Sequence, residues 1–168
     1  GAKLLGMPVG PLQLIDETSI DLAHQIAIAT KSALGENYLE DASDEILNFM
    51  VKENRLGRKT RAGFYEYDER GRRQYLWRGL TRNWTLKKSQ PSVEEIKNRL
   101  GLIQALEAVR ALEENVLTDV KQGDVGAILG WGCIPWAGGP FGWLDLVGIT
   151  EITEMCKSYK GKFGPRFS

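Results

Sequence analysis

A chain of 168 residues with one histidine and two cysteines offers few ways to do acid–base, nucleophilic or metal chemistry, and spacing narrows them further. His24 lies within a helical apolar pattern made by Ile20, Ala23, Ala27 and Leu34, and a lone helical histidine reads as a surface or core-edge residue rather than a base. Cys133 and Cys156 have no Cys-x-x-Cys spacing and no flanking histidine. That excludes a recognisable zinc set and suits core thiols in a reducing, cytoplasmic compartment. Gly138-Gly139-Pro140 could open a tight helical corner or cradle a phosphate. No Gly-x-Gly-x-x-Gly or Gly-Lys-Ser/Thr accompanies it, which favours the corner. Asp16 and Asp145 each follow a Gly-Pro pair by a few residues, where a carboxylate can accept backbone N–H groups and complement the helix dipole; both are expected to be structural. No catalytic, cofactor-binding or metal-binding residue is assigned within the chain.

The elements holding these residues appear twice. Gly126 to Ile149 has the densest glycine, proline and tryptophan usage, and Gly6 to Ile20 is a shorter copy of it. A single offset of 129 sets Gly10 on Gly139, Pro11 on Pro140, Leu14 on Trp143, Ile15 on Leu144 and Asp16 on Asp145. Self-similarity at a fixed offset is the mark of a repeated structural unit. Val125 to Leu144 carries no charge over 20 positions, long enough to raise a membrane span, but its glycines and prolines would leave unsatisfied backbone in lipid. A buried corner is expected there instead.

Composition bounds the rest. Lys+Arg and Asp+Glu are both 22 and 42% of residues are hydrophobic, which allows a real core and argues against a dedicated nucleic-acid binder. Lys52 to Lys88 nevertheless holds 12 basic and 4 acidic residues, a local excess of +8. It carries no recognition-helix or RNA-binding pattern and reads as a solvated face or one that lies against an acidic partner. The opening Gly1-Ala2-Lys3, with no signal peptide and no initiator methionine, reads as part of something longer.

In chain order, Leu12 to Asp16 reads as a short helix, and Thr18 or Ser19 caps a second one, Ile20 to Leu34, ended by Gly35. A third helix starts at Ser43 and runs through Asn54, with Ile46, Leu47, Phe49 and Met50 buried. The aromatic alternation on either side of a turn over 63–77 predicts a small β-hairpin or an extended arm. Gly79 to Pro91 reads as a linker. Ser92 with Glu95 forms a capping box for the longest helix, roughly Val93 to Val116, whose stripe is expected at Ile96, Leu100, Ile103, Ala111 and Leu112. Asp119 or Asp124 starts the next helix, which ends at Gly130 or Gly132. A last helix spans about Thr150 to Tyr159, and the basic end from Gly161 is expected to be loose. The fold class is all-α with one small hairpin.

Two segments then carry a resemblance. Gly57-Arg58-Lys59-Thr60-Arg61-Ala62-Gly63-Phe64-Tyr65-Glu66-Tyr67 resembles the Gly-x-Lys-Thr/Ser-x-x-Gly-Phe-Tyr signature of the C-terminal domain of 3-hydroxyacyl-CoA dehydrogenases. Met7-Pro8-Val9-Gly10-Pro11 with Asp16 resembles the same domain's Gly-Pro element, in the same order and spacing. Residues 96–149 are similar to the second C-terminal repeat of the multifunctional fatty acid oxidation α-chains, with Asn98-Arg99 at the Asn-Arg position.

The resemblance implies two tandem helical repeats, 1–78 without its first helix and 92–168, joined by a linker over 79–91 and paired about a pseudo-twofold axis. It implies a role in fatty acid β-oxidation as the substrate-side part of a dehydrogenase. An upstream Rossmann domain would bind NAD and supply the catalytic His and Glu, and an enoyl-CoA hydratase domain can be fused before it. His24 does not match the catalytic motif. Asn98 matches the assisting Asn only between repeats, which points to helix packing. The implied partners are the upstream NAD-binding domain, acyl-CoA and a thiolase subunit, with no nucleic acid and no membrane span; the fragment alone is expected to be inactive. The alternative is an autonomous helical binding or dimerisation module that kept the fold without the reaction.

Overall fold

The computed structural model describes residues 1–40 and 42–168. The chain divides into two compact units, one of Pro11–Lys88 and one of Gly1–Gly10 with Ser89–Ser168. Eight α-helices, five short 3₁₀-helices and one two-stranded sheet make up the regular structure among the described residues.

The first unit holds helices α1 (Pro11–Thr18), α2 (Ile20–Leu34) and α3 (Ala42–Lys52), strands β1 (Tyr65–Tyr67) and β2 (Arg73–Leu76), and α4 (Gly79–Asn83). Its core is Ile20, Leu47, Met50 and Phe64, with Phe49, Trp77 and Leu80 packed around them. The expected apolar side of α3 is therefore the side that is buried. The strands are antiparallel, pairing Tyr65 with Leu76 and Tyr67 with Arg73, with an irregularity between. Asp68 builds the turn by accepting the Arg70 and Arg72 N–H groups at 2.9 Å each, the local bonding that favours aspartate in turns. The hairpin alternative is the one the chain adopts. The linker expected over 79–91 is helical at its start, because Trp77 and Leu80 pack onto the first core and carry that unit on to Lys88.

The second unit is organised by α5 (Val93–Glu113), followed by α6 (Val120–Trp131), α7 (Pro140–Val147) and α8 (Ile149–Phe163). Ser92 Oγ accepts the Glu95 N–H at 3.0 Å, and Asp119 Oδ1 accepts the Gln122 N–H at 2.9 Å. Each satisfies one orphan donor at its helix start, so Asp119, not Asp124, caps α6. The buried face of α5 is Gly101, Leu102 and Ala105, displaced from the expected stripe, whose members Leu100 and Ile103 are only partly covered. The reason is crowding: the Trp143 ring and Leu5 reach the helix at Gly101, where a Cβ would already stand 3.4 to 3.5 Å from both. Leu5, fully buried in this core, explains why residues 1–10 fold with the second unit and not with the first.

The basic end is docked rather than loose. Helix α8 continues to Phe163, Phe167 is 2% exposed, and the Tyr159, Phe163 and Phe167 rings pack with centroids 5.5 to 6.1 Å apart. Arg110 Nη2 then donates to the Arg166 and Ser168 carbonyls at 2.9 and 2.8 Å.

The offset of 129 read from the Gly-Pro segments extends to whole elements. It carries α1 onto α7 and α2 onto α8 end to end, and it sets the helix-ending Gly35 on Gly164. It also sets Ser19, at φ 92°, on Gly148, at φ 92°. A serine thus holds a backbone conformation that its counterpart reaches as glycine, the residue for which that region is open. Ser19 starts α2 as expected without capping it: its hydroxyl goes instead to Asp21 and to the Leu56 carbonyl, the latter at 3.1 Å.

Candidate functional site

Asp16 lies in the second turn of α1 and is 1% exposed, the only fully buried charged side chain among the described residues. A carboxylate out of water must have its lone pairs filled. Asp16 Oδ1 accepts the Phe64 N–H at 2.8 Å, and Oδ2 accepts the Tyr65 N–H and the Tyr67 hydroxyl at 3.0 Å each. Burial, with the adjacent Asp16 charge, raises the Tyr67 phenol above its ordinary pKa, so that it stays a donor.

The loop that delivers these donors is shaped by its own residue types. Gly57 has φ 97°, and a Cβ there would strike the Asp16 backbone; a Cβ on Gly63 would strike the Asp16 carboxylate itself. Thr60 Oγ1 accepts the Leu56 N–H at 3.0 Å and donates to the Ala62 carbonyl at 2.9 Å, closing the loop on itself. Arg58 pairs with Glu17 on α1 at 3.0 Å and Lys59 with Asp21 on α2 at 2.5 Å. Arg55 donates to the Gly63 carbonyl at 2.8 Å and to Glu66 at 2.9 Å, and its guanidinium lies 4.1 Å from the Trp77 ring centre. Glycine, lysine, threonine and the Gly-Phe-Tyr run thus each have a mechanical task around one carboxylate. The arrangement locks α1 to the hairpin and leaves no polar group of Asp16 to meet a substrate.

The second copy is built differently. Asp145 is exposed and takes no hydrogen bond or ion pair among the described residues. The expectation that it would act like Asp16 is therefore corrected, because no Gly-Phe-Tyr strand faces it. Asp124 serves this Gly-Pro helix instead: Oδ1 accepts the Phe141 N–H at 2.8 Å, and Gly139 lies directly against the Asp124 side chain. A carboxylate already sits at the start of α7, which removes the phosphate-cradle reading of Gly138-Gly139-Pro140 and leaves the helical corner.

The remaining candidates stand apart. His24 Nε2 lies 2.7 Å from Asn48 Oδ1 between α2 and α3, a geometry in which the ring N–H donates. Asn98 is half-buried on α5, and the neighbouring Arg99 guanidinium lies 3.8 Å from the centre of the Phe163 ring, a packing contact. Cys133 and Cys156 are free thiols, both raised in pKa chiefly by burial. Among the described residues no group of three or more His, Cys, Asp and Glu side chains could hold a metal ion, and no helix is long and apolar enough to cross a membrane. Sequence reading missed Tyr67 and Asp124 as partners. The first was visible as the aromatic two residues beyond Tyr65; the second had no sequence signal.

Comparison with known proteins returns the same segment. Residues 1–67 match the family model described as 3-hydroxyacyl-CoA dehydrogenase, C-terminal domain. The fatty acid oxidation complex subunits alpha of two Vibrio cholerae serotype O1 strains, classical Ogawa and El Tor Inaba, are each 34% identical to this chain. The alignments cover 97% of this chain and 23% of each relative, so the chain spans about a quarter of the length of the curated relatives it matches.

Proposed function

We propose that this chain, whose residues 1–67 match the 3-hydroxyacyl-CoA dehydrogenase C-terminal domain model, is the C-terminal, substrate-side and interdomain portion of a longer dehydrogenase of fatty acid β-oxidation. The reaction would be oxidation of 3-hydroxyacyl-CoA to 3-ketoacyl-CoA with NAD as acceptor. The observation that carries this reading is the Asp16 cradle: two sequence-distant signatures of the matched family meet on one buried carboxylate, both of whose oxygens accept hydrogen bonds, three in all.

The chain's own residues do not fit the dinucleotide. The glycine-rich helix start, at α7, is filled by Asp124, and the sequence has no Gly-x-Gly-x-x-Gly. NAD and the acid–base pair are accordingly assigned to an upstream domain, and no step of the reaction is assigned to this portion. An enoyl-CoA hydratase domain before it, a thiolase subunit as partner and a cytoplasmic setting belong to the same reading.

The recurrence of α1–α2 as α7–α8 supports two tandem repeats. In the second unit α5 packs on both α7 and α8; among the described residues of the first, α3 packs on α2, yet Leu14, Leu22 and Ile26 stay 49, 52 and 57% exposed. This difference supports a first repeat whose opening helix belongs to the longer chain.

The test is a coupled pair of assays. The purified 168-residue chain should show no NADH-dependent reduction of acetoacetyl-CoA above the buffer blank, whereas the full product of its parent gene should turn over. Activity in the isolated chain would refute the division of labour, and inactivity of the full product would refute the dehydrogenase reading.

A further inference from the structure

Within the second unit, α5 and α6 leave between them a half-open cavity of about 500 Å³. The walls are Ile103, Ala108 and Ala111 from α5, Gly126 and Ala127 from α6, and Leu117 from the turn between them. Its apolar walls offer water few hydrogen-bond partners, so covering them with an apolar guest is favourable. The volume lies within the range of small-molecule sites, roughly 300 to 1,000 Å³.

Of the polar side chains at its edge, Gln104 and Glu107 are engaged, while the Gln122 amide also borders it. Gln104 Nε2 donates to the Leu100 carbonyl at 2.7 Å, and its Oε1 accepts the Trp131 indole N–H at 3.1 Å, tying the two helices together at one end. Glu107 is paired with Arg110. An ionised guest would lose its hydration here with no counter-charge in return. The walls run from Ile103 to Ala111 along α5 and from Gln122 to Trp131 along α6, a length of about 12 Å at the helical rise. At Gly126, as at Gly130 of the same helix, a Cβ would meet nothing within 4 Å, so a larger side chain at 126 has room to enter the cavity.

We propose that the α5–α6 cavity is a binding site for one uncharged aliphatic chain lying along the two helices, closed at one end by Trp131. The site lies wholly within the second unit and does not depend on the dehydrogenase reading.

The experiment titrates the 168-residue chain with n-decanol and, separately, with decanoate, following tryptophan fluorescence and calorimetric heat. Decanol should bind saturably at one site and raise Tm, and decanoate should bind more weakly. Gly126→Leu, which fills the cavity, should keep or raise Tm and lose decanol binding. Ala108→Leu, filling it from α5, should do the same. Either folded variant binding decanol as the unsubstituted chain does would overturn the proposal. So would an absence of saturable decanol binding by the unsubstituted chain. A self-association abolished by Gly126→Leu, with no decanol binding, would show that a second copy covers this face and would also overturn it.

Discussion

Asp16 is where a single atom matters most. Asn at this position offers one acceptor and turns an N–H₂ group toward donors that already converge there, which leaves buried groups unpaired. Bonds to a charged group contribute about 1.5 to 3 kcal/mol each, so Asp16→Asn should cost at least about 3 kcal/mol in urea unfolding. Asp145→Asn, at the exposed counterpart, should stay within about 0.5 kcal/mol. Equal losses at the two positions would mean that the cradle does not hold the fold. A second residue-scale expectation concerns pH. The hydrogen bond from Lys59, then that from Ser19, lowers the Asp21 carboxyl to about 2 from its ordinary 3.8. A depressed carboxyl stabilises the folded state above the unfolded value, and that contribution is lost as pH falls from about 3.8 through about 2. NMR titration should place Asp21 near 2, and Lys59→Met should move it back toward 3.8.

At the scale of elements, a helix's hydrophobic pattern says that it has a buried side, and its neighbours decide which residues form the centre of that side. The α5 stripe was expected to centre on Leu100 and Ile103, yet Trp143 and Leu5 meet the helix at Gly101, so Leu102 and Ala105 lie deepest. Leu102→Ala should therefore cost about 2 to 5 kcal/mol, the usual range for an emptied core site, and Leu100→Ala clearly less. The two measured in one denaturation series would reveal whether the centre has been placed correctly. Removing the cap with Ser92→Ala should cost about 1 kcal/mol and fray only the first turn of α5, a local loss that amide exchange can separate from global unfolding.

For the whole molecule, two separate cores mean two separable stabilities, and the first ten residues count toward the second. Leu5 is fully buried in the core that contains Leu102 and Trp143. Deleting residues 1–10 should lower the unfolding midpoint of the unit containing α5 to α8, while amide protection of α3 and the hairpin stays as it was. Loss of protection in α3 to the same extent would show that the two units unfold as one.

Local chemistry made much of this legible from sequence. The start of α5, the hairpin and the glycine-framed loop depend on residues close together in the chain, where turn, cap and period rules act, and the offset of 129 was legible because each copy is a short local pattern. The resemblance to the dehydrogenase C-terminal domain was legible for the same reason, since its signatures are short and ordered. Tertiary structure alone decided the rest. Asp16 and Asp145 look alike in sequence, and only the strand that arrives 48 residues later buries one and leaves the other in water. Asp124 became a cap for α7, the chain's end became part of a core, and α5 and α6 left a cavity, because each outcome depends on which distant surfaces meet. Local pattern carries no record of that pairing, since the energy that fixes it comes from burial between segments.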